Sequence, residues 1–213
     1  MKFIGFYNYT VILTYISLVS GVLGIKFSHD GRVGLAVCCL VFSGICDMFD
    51  GAVARTKKDR TEDQKNFGIQ LDSLCDVVCF GVLPAIILYF LGIDSIVGIA
   101  MLIFYVLCAV IRLAFFNVLE AKRQKSEDGC AKAYRGLPVT SAAIILPFFF
   151  LLGCFLSDKV MTVIYYILPA ITGLAFITDF RVPKLDVSKL LRRRAKKEEE
   201  EKEECECDSL SNV

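Results

Sequence analysis

Four aspartates stand at a spacing that chemistry can use. Residues 47–76 read Asp47-x-x-Asp50-Gly51-x-x-Ala54-Arg55, then twelve residues, then Gly68-x-x-x-Asp72-x-x-x-Asp76. Residues three or four apart share a helix face, so Asp47 pairs with Asp50 and Asp72 pairs with Asp76. A hairpin through the basic linker 55–67 makes the two helices antiparallel neighbours and gathers all four carboxylates at one end of both. Such a cluster at membrane depth repels itself and desolvates badly unless cations are bound. An all-oxygen donor set without Cys or His suits a hard ion, Mg²⁺ or Mn²⁺. Two such ions, with one or two carboxylates bridging, can clamp a phosphoryl group during in-line displacement. Gly51 removes a side chain where a ligand can approach the backbone closely, and Arg55, one turn further on, is placed to pair with a phosphate. A single Asp at a helix end is ordinarily a cap or an interfacial residue. Eight fixed positions of this kind recur by chance only on the order of 10⁻¹⁰ per starting residue, which favours the chemistry.

The elements that must position these residues are membrane helices. The chain has 213 residues, is 55% hydrophobic and has a mean hydropathy of +0.58, while its 22% charged residues are confined to patches. Collagen-like, disordered and repeat classes are excluded by this composition. A span needs about 20 mostly apolar residues, and six segments qualify: 4–25, 33–54, 68–92, 95–118, 138–156 and 160–179. Pro84, inside the third, is expected to kink it. Lys2, the linkers 55–67 and 112–137 and the tail hold 21 of the 24 basic residues, against Lys26, Arg32 and Lys159 on the other side. Positive charge marks the cytoplasmic face. The expectation is an all-α, polytopic bundle of six transmembrane helices in the cell membrane, with both termini cytoplasmic and the Asp cluster at the cytoplasmic face. Residues 1–182 form the transmembrane catalytic domain and 183–213 a charged cytoplasmic tail.

The remaining polar residues carry less. In the tail, Arg192-Arg193-Arg194-Ala195-Lys196-Lys197 precedes a run of glutamates, read as a solvated helix or as a contact with anionic headgroups. His29 is expected at the outer surface, which leaves no histidine for base or metal chemistry beside the aspartates. Cys38, Cys39, Cys46, Cys75, Cys79, Cys108 and Cys154 lie in apolar runs, where a thiol packs as a small hydrophobe. Only Cys205 and Cys207 are expected to be exposed, as free thiols, and no C-x-x-C pair suggests zinc. The first apolar segment runs into a second without a small-residue cleavage site, so it is read as a span and not as a cleaved signal.

The 47–76 motif resembles the signature of the CDP-alcohol phosphatidyltransferases, a family that transfers a phosphatidyl group from a CDP-lipid to an alcohol and releases CMP. The family commonly has about eight residues between Arg and Gly, and this chain has twelve. Those residues lie in a loop, so the insertion is expected to lengthen the hairpin without moving the carboxylates. Residues 67–85, Arg112 to Val118 and Tyr134-Arg135-Gly136-Leu137-Pro138 are similar to the branch that uses serine, as are Leu13-Thr14 and Gly21; Ser17 stands where that branch commonly has Asn.

The resemblance implies CDP-diacylglycerol and L-serine as substrates, the bilayer as environment, and a homodimer; no nucleic-acid partner is expected. It implies that Asp47, Asp50 and Asp72 hold two divalent ions, Mg or Mn, and that Asp76 completes the site and acts as general base. By the same carry-over Gly51, Ala54, Arg55 and Gly68 line the CDP-lipid side, with Thr61 a further phosphate contact. Serine's carboxylate needs a cation, for which Arg112 and Arg135 are candidates, with Asn117 on nearly the same flank as Arg112; snorkelling and helix capping are the plainer roles of such residues. Another acceptor, such as glycerol 3-phosphate, would need extra cations, and Lys57, Lys58 and Arg60 are at hand. A membrane prenyltransferase would place its Asp motifs in separate halves of a larger bundle. A transporter or proton relay would spread acids through several spans, and spans four to six lack them.

Overall fold

The computed structural model describes residues 5, 11–56, 61–125, 134–179 and 181–182, of which 51–56, 123–125, 134–135 and 181–182 are described by backbone alone. The tail 183–213, with Cys205 and Cys207, lies outside the described residues. The chain divides into two units: Met1–Cys130 with Arg135–Phe180, which holds the helices, and Ala131–Tyr134 with Arg181–Val213. Strands β1 (Tyr134–Arg135) and β2 (Arg181–Val182), two residues each, pair in a two-stranded sheet and are the only strands among the described residues.

The helices are α1 (Ile12–His29), α2 (Val33–Thr56), α3 (Glu62–Asp76), α4 (Leu83–Phe90), α5 (Ile96–Lys125), α6 (Ala142–Leu152) and α7 (Asp158–Ile177). A π-helical segment, Val77–Val82, joins α3 to α4, so Glu62–Phe90 is one continuous helical element. Five elements are long and apolar enough to cross a membrane: Ile12–His29, Val33–Asp50, Glu62–Phe90, Ile96–Lys122 and Asp158–Ile177. Helices satisfy their own backbone, as a hydrocarbon environment demands, and their outer faces carry Val19, Phe42, Ile103, Phe148 and Ile171 exposed. This is a multi-pass membrane bundle.

The fifth expected span, 138–156, is shorter than the sequence suggested. The apolar helix there covers Val139–Leu152, its first turn is 3₁₀, and the chain turns at Gly153–Phe155. Fourteen residues rise about 21 Å, against a hydrocarbon core of about 30 Å. The third span instead begins earlier than expected, at Glu62. Thr61 caps it by accepting a hydrogen bond from the Gln64 N–H at 3.3 Å, and Glu62 and Asp63 occupy the first turn, where acids favour the helix dipole.

Packing follows small residues and hydroxyls. Helix α1 lies antiparallel on α2. Ser17 Oγ donates to the Ser43 carbonyl at 3.3 Å, Ser43 Oγ donates back to the Ser17 carbonyl at 3.0 Å, and Ser20 Oγ donates to the Cys39 carbonyl at 3.0 Å. Gly21 permits the π segment to approach: a Cβ there would stand 2.7 Å from Cys79 Sγ. Gly44 does the same for α6, since its Cβ would meet that of Ala143 at 2.6 Å. Helices α5 and α7 pack side by side and parallel. Tyr166 Oη donates to Ser95 Oγ at 2.9 Å at one end, Gly173 meets the Tyr105 backbone mid-way, and Arg112 shares a cavity with Asp179 at the other.

Pro84 does not interrupt its helix. Proline has no N–H to give the carbonyl four residues back, here Phe80, and the π segment ends immediately before that turn. The Phe80 carbonyl is satisfied across the bundle by the buried Tyr105 hydroxyl, which donates at 2.6 Å. Most cysteines are buried or half-buried as expected, but Cys38 and Cys154 are exposed. An apolar run in a membrane helix has a lipid-facing side as well as a packed one. His29 is a surface residue, its side chain 82% exposed.

Candidate active site

The carboxylates meet where α2 and α3 approach each other. Asp47 and Asp50 come from the last turns of α2, and Asp72 comes from α3; one ligand oxygen from each lies within 4.8 Å of the others, and all three residues are half-buried. Three negative charges at that separation in a partly dehydrated site are mutually repulsive. Their donor set, oxygen alone, is what a hard divalent cation takes. The site therefore fits the ion that the sequence implied. Asp76, one turn deeper on α3, is buried and lies outside the triplet.

Thr14 on α1 reaches this cluster, donating from Oγ1 to Asp50 Oδ2 at 3.4 Å. Three helices thus meet at the site, α1 supplying the donor that orients an aspartate of α2. In the sequence Thr14 stands out only within the Leu13-Thr14 pair. A hydroxyl near the end of an apolar helix needs a partner, which is the signal it offers. Ser17, one turn deeper, turns to the Ser43 carbonyl and to Cys79 Sγ at 3.7 Å, so it serves helix packing.

The other expected residues fall into different groups. Gly51, Ala54 and Arg55 continue α2 beyond Asp50, but their side chains lie outside those described, as do Lys57, Lys58 and Arg60 altogether. Gly68 sits half-buried in α3, one turn before Asp72. Thr61 is exposed and caps α3. The twelve residues between Arg55 and Gly68 are not simply loop: Thr56 extends α2 and residues 62–67 form the start of α3. The insertion is accommodated partly as extra helix, which leaves the register of Asp72 on its helix face unchanged.

Asn117 on α5 is bound to α3. Ser73 Oγ donates to its Oδ1 at 2.8 Å, and its Nδ2 donates to Gln70 Oε1 at 3.4 Å. Ser73 is the neighbour of Asp72, so α5 is tied to the helix that carries the aspartate. Arg112, about 7 Å nearer the middle of α5 by helical rise, is half-buried and lines a cavity of about 210 Å³ with Ile111, Phe115, Phe176, Ile177, Thr178 and Asp179. Gly136 closes on it: φ is +71°, and a Cβ would lie 3.5 Å from Arg112 Cζ and 2.9 Å from the Thr178 carbonyl. The backbone of Arg135 is in β1, and its side chain lies outside those described.

The bundle thus carries at one end an Asp-only cluster whose oxygens suit a divalent metal ion. Residues 7–180 match the CDP-alcohol phosphatidyltransferase family, which covers most of the chain, and the chain belongs to that family. It is similar to the archaetidylserine synthase of Methanothermobacter thermautotrophicus, 34% identical over 176 residues covering 82% of this chain and 69% of that protein. It is also similar to a CDP-diacylglycerol–serine O-phosphatidyltransferase of Methanocaldococcus jannaschii, 32% identical over 172 residues, 81% of this chain and 72% of that one. A second protein of the latter name, from Saccharomyces cerevisiae, is 40% identical over 109 residues, half of this chain and 38% of its own. No solved structure matches the chain significantly.

Proposed function

We propose that the chain transfers the phosphatidyl group of CDP-diacylglycerol to the hydroxyl of L-serine, giving phosphatidylserine and CMP. The convergence of Asp47, Asp50 and Asp72 from two antiparallel helices carries the reading of the reaction type. The acceptor follows the names of the relatives, which share serine although the archaetidyl name implies a different lipid tail.

In this reading the serine Oγ forms a bond to the phosphatidyl phosphorus while the bond to CMP breaks, and the hydroxyl proton passes to Asp76, the general base. A hydroxyl is a poor nucleophile until that proton is removed in the transition state. Asp47, Asp50 and Asp72, completed by Asp76, hold two divalent ions, Mg or Mn, whose chemistry when bound is to neutralise the diphosphate and stabilise the departing CMP. Gly51, Ala54, Arg55 and Gly68 line the CDP-lipid side, and Thr61 adds its contact there. Arg112, Asn117 and Arg135 form the serine side, Arg112 pairing with the carboxylate.

The lipid enters laterally from the bilayer and serine from the cytoplasm, which sets the site at the inner headgroup level of the cell membrane. The parallel run of α5 and α7 supports six crossings with both termini on one side, because the chain must return between them and Val139–Leu152 is the helix available for it; the excess of basic residues on that side makes it the inside. Residues 1–182 are then the catalytic domain, 183–213 a cytoplasmic tail, and the working unit a homodimer. The test is CMP release by purified protein with CDP-diacylglycerol and Mg²⁺ or Mn²⁺, offering serine, glycerol 3-phosphate and inositol separately. Release with serine alone supports the reading, and release with another acceptor alone reassigns it.

A further inference from the structure

The cavity beside Arg112 carries a second charge that the family motif does not include. Asp179 stands just beyond the end of α7 and lines the same cavity as Arg112 of α5, a carboxylate and a guanidinium in one space. Thr178 adds a hydroxyl, and the remaining walls are apolar, chiefly Phe115 and Phe176. The volume is about 210 Å³, which at the roughly 10–15 Å³ of such space that a water-sized group needs admits the seven non-hydrogen atoms of L-serine. Gly136 borders this space at the closest approach of the chain, because any Cβ there would press on the Thr178 carbonyl at 2.9 Å and touch the Arg112 guanidinium.

Charge decides which acceptor such a cavity takes. A phosphate-bearing alcohol is attracted by Arg112 and repelled by Asp179. A neutral polyol gains from neither charge. An α-amino acid presents a carboxylate and an ammonium on one carbon, and satisfies both. The cavity belongs to the same end of the bundle as the aspartates, since Asn117, about 7 Å further along α5 than Arg112, is hydrogen-bonded to the neighbour of Asp72.

Resting on the serine reading above, we propose that Asp179 is a specificity-determining residue that binds the ammonium of the amino-acid acceptor, opposite Arg112 on its carboxylate. It separates serine from hydroxylated acids and phosphates that share the hydroxyl.

The experiment compares purified wild-type protein with Asp179→Asn, Asp179→Ser and Asp179→Glu, following CMP release with L-serine and with L-glycerate, which keeps the configuration and replaces the ammonium by a hydroxyl. Asp179 is exposed, so the variants are expected to fold, with two charge-removing substitutions guarding against failure of one. The expected result is a serine KM raised about tenfold in Asn and Ser, an unchanged KM for CDP-diacylglycerol, a preference for serine over glycerate reduced about tenfold, and recovery in Glu. A serine preference unchanged in Asn and Ser overturns the inference, and so does an equal loss toward both acceptors, which marks a structural role. If wild-type protein releases CMP with another acceptor and none with serine, the serine reading itself has failed and the inference falls with it.

Discussion

Ser73 donates a 2.8 Å hydrogen bond to Asn117 Oδ1, and this bond joins the helix carrying Asp72 to the helix carrying Arg112. The Asp cluster and Arg112, the cation proposed for the acceptor's carboxylate, therefore sit on elements that are fastened to one another one residue from Asp72. Interhelical hydrogen bonds in membrane proteins average about 0.6 kcal/mol and reach about 1.7. A double-mutant cycle of Ser73→Ala and Asn117→Ala, read by unfolding in micelles, should give a coupling in that range. Additive losses would show that the bond holds nothing.

Thr14 is expected to tune the metal site without entering it. Removing an outer-shell donor typically costs about 10–100-fold in metal affinity, and the 3.4 Å separation from Asp50 puts Thr14→Val at the lower end. Mn²⁺ titration of the purified variant checks this, with Thr14→Ser expected to restore the affinity.

Tyr105 replaces the donor that Pro84 lacks. In Tyr105→Phe the buried Phe80 carbonyl loses its 2.6 Å partner, and a buried polar group left unpaired costs about 1–3 kcal/mol. The expected outcome is a lower unfolding midpoint in micelles together with faster amide exchange over Val77–Leu83.

Gly44 is a contact point between α2 and α6. A side chain there must displace Ala143, whose Cβ lies 2.6 Å from where the new one would stand. Overpacking of this kind costs about 1–3 kcal/mol. Gly44→Val should reduce thermal stability, and Gly44→Val with Ala143→Gly should recover part of the loss.

The site's core was legible because helical spacing is a local property. Asp47, Asp50 and Asp72 converge as the three- and four-residue spacings require. The start of α3 at Glu62 was equally local and was passed over, although Thr61 and Gln64 form a capping pair that the sequence displays. Other features depend on distant residues. Nothing near Tyr105 in the chain indicates that Phe80 needs a donor, and Asp179 meets Arg112 only because α5 and α7 run parallel. The fifth span's length turned on where the chain leaves the helix, at Gly153, and an apolar run continuing to Leu156 hides that break. Exposure of Cys38 and Cys154 was hidden for a related reason, because in a membrane protein hydrophobicity does not separate the packed face from the lipid face.

Asp47, Asp50 and Asp72 are proposed as the divalent-metal centre at which phosphatidyl transfer occurs. Mn²⁺ binding and metal-dependent CMP release, measured on the same purified samples of wild type, Asp47→Asn, Asp50→Asn and Asp72→Asn, test it most directly. The prediction is that each variant keeps its helical fold, binds Mn²⁺ at least tenfold more weakly, and loses CMP release by a factor of about 10² or more. A variant that retains both wild-type Mn²⁺ affinity and wild-type turnover would contradict the claim.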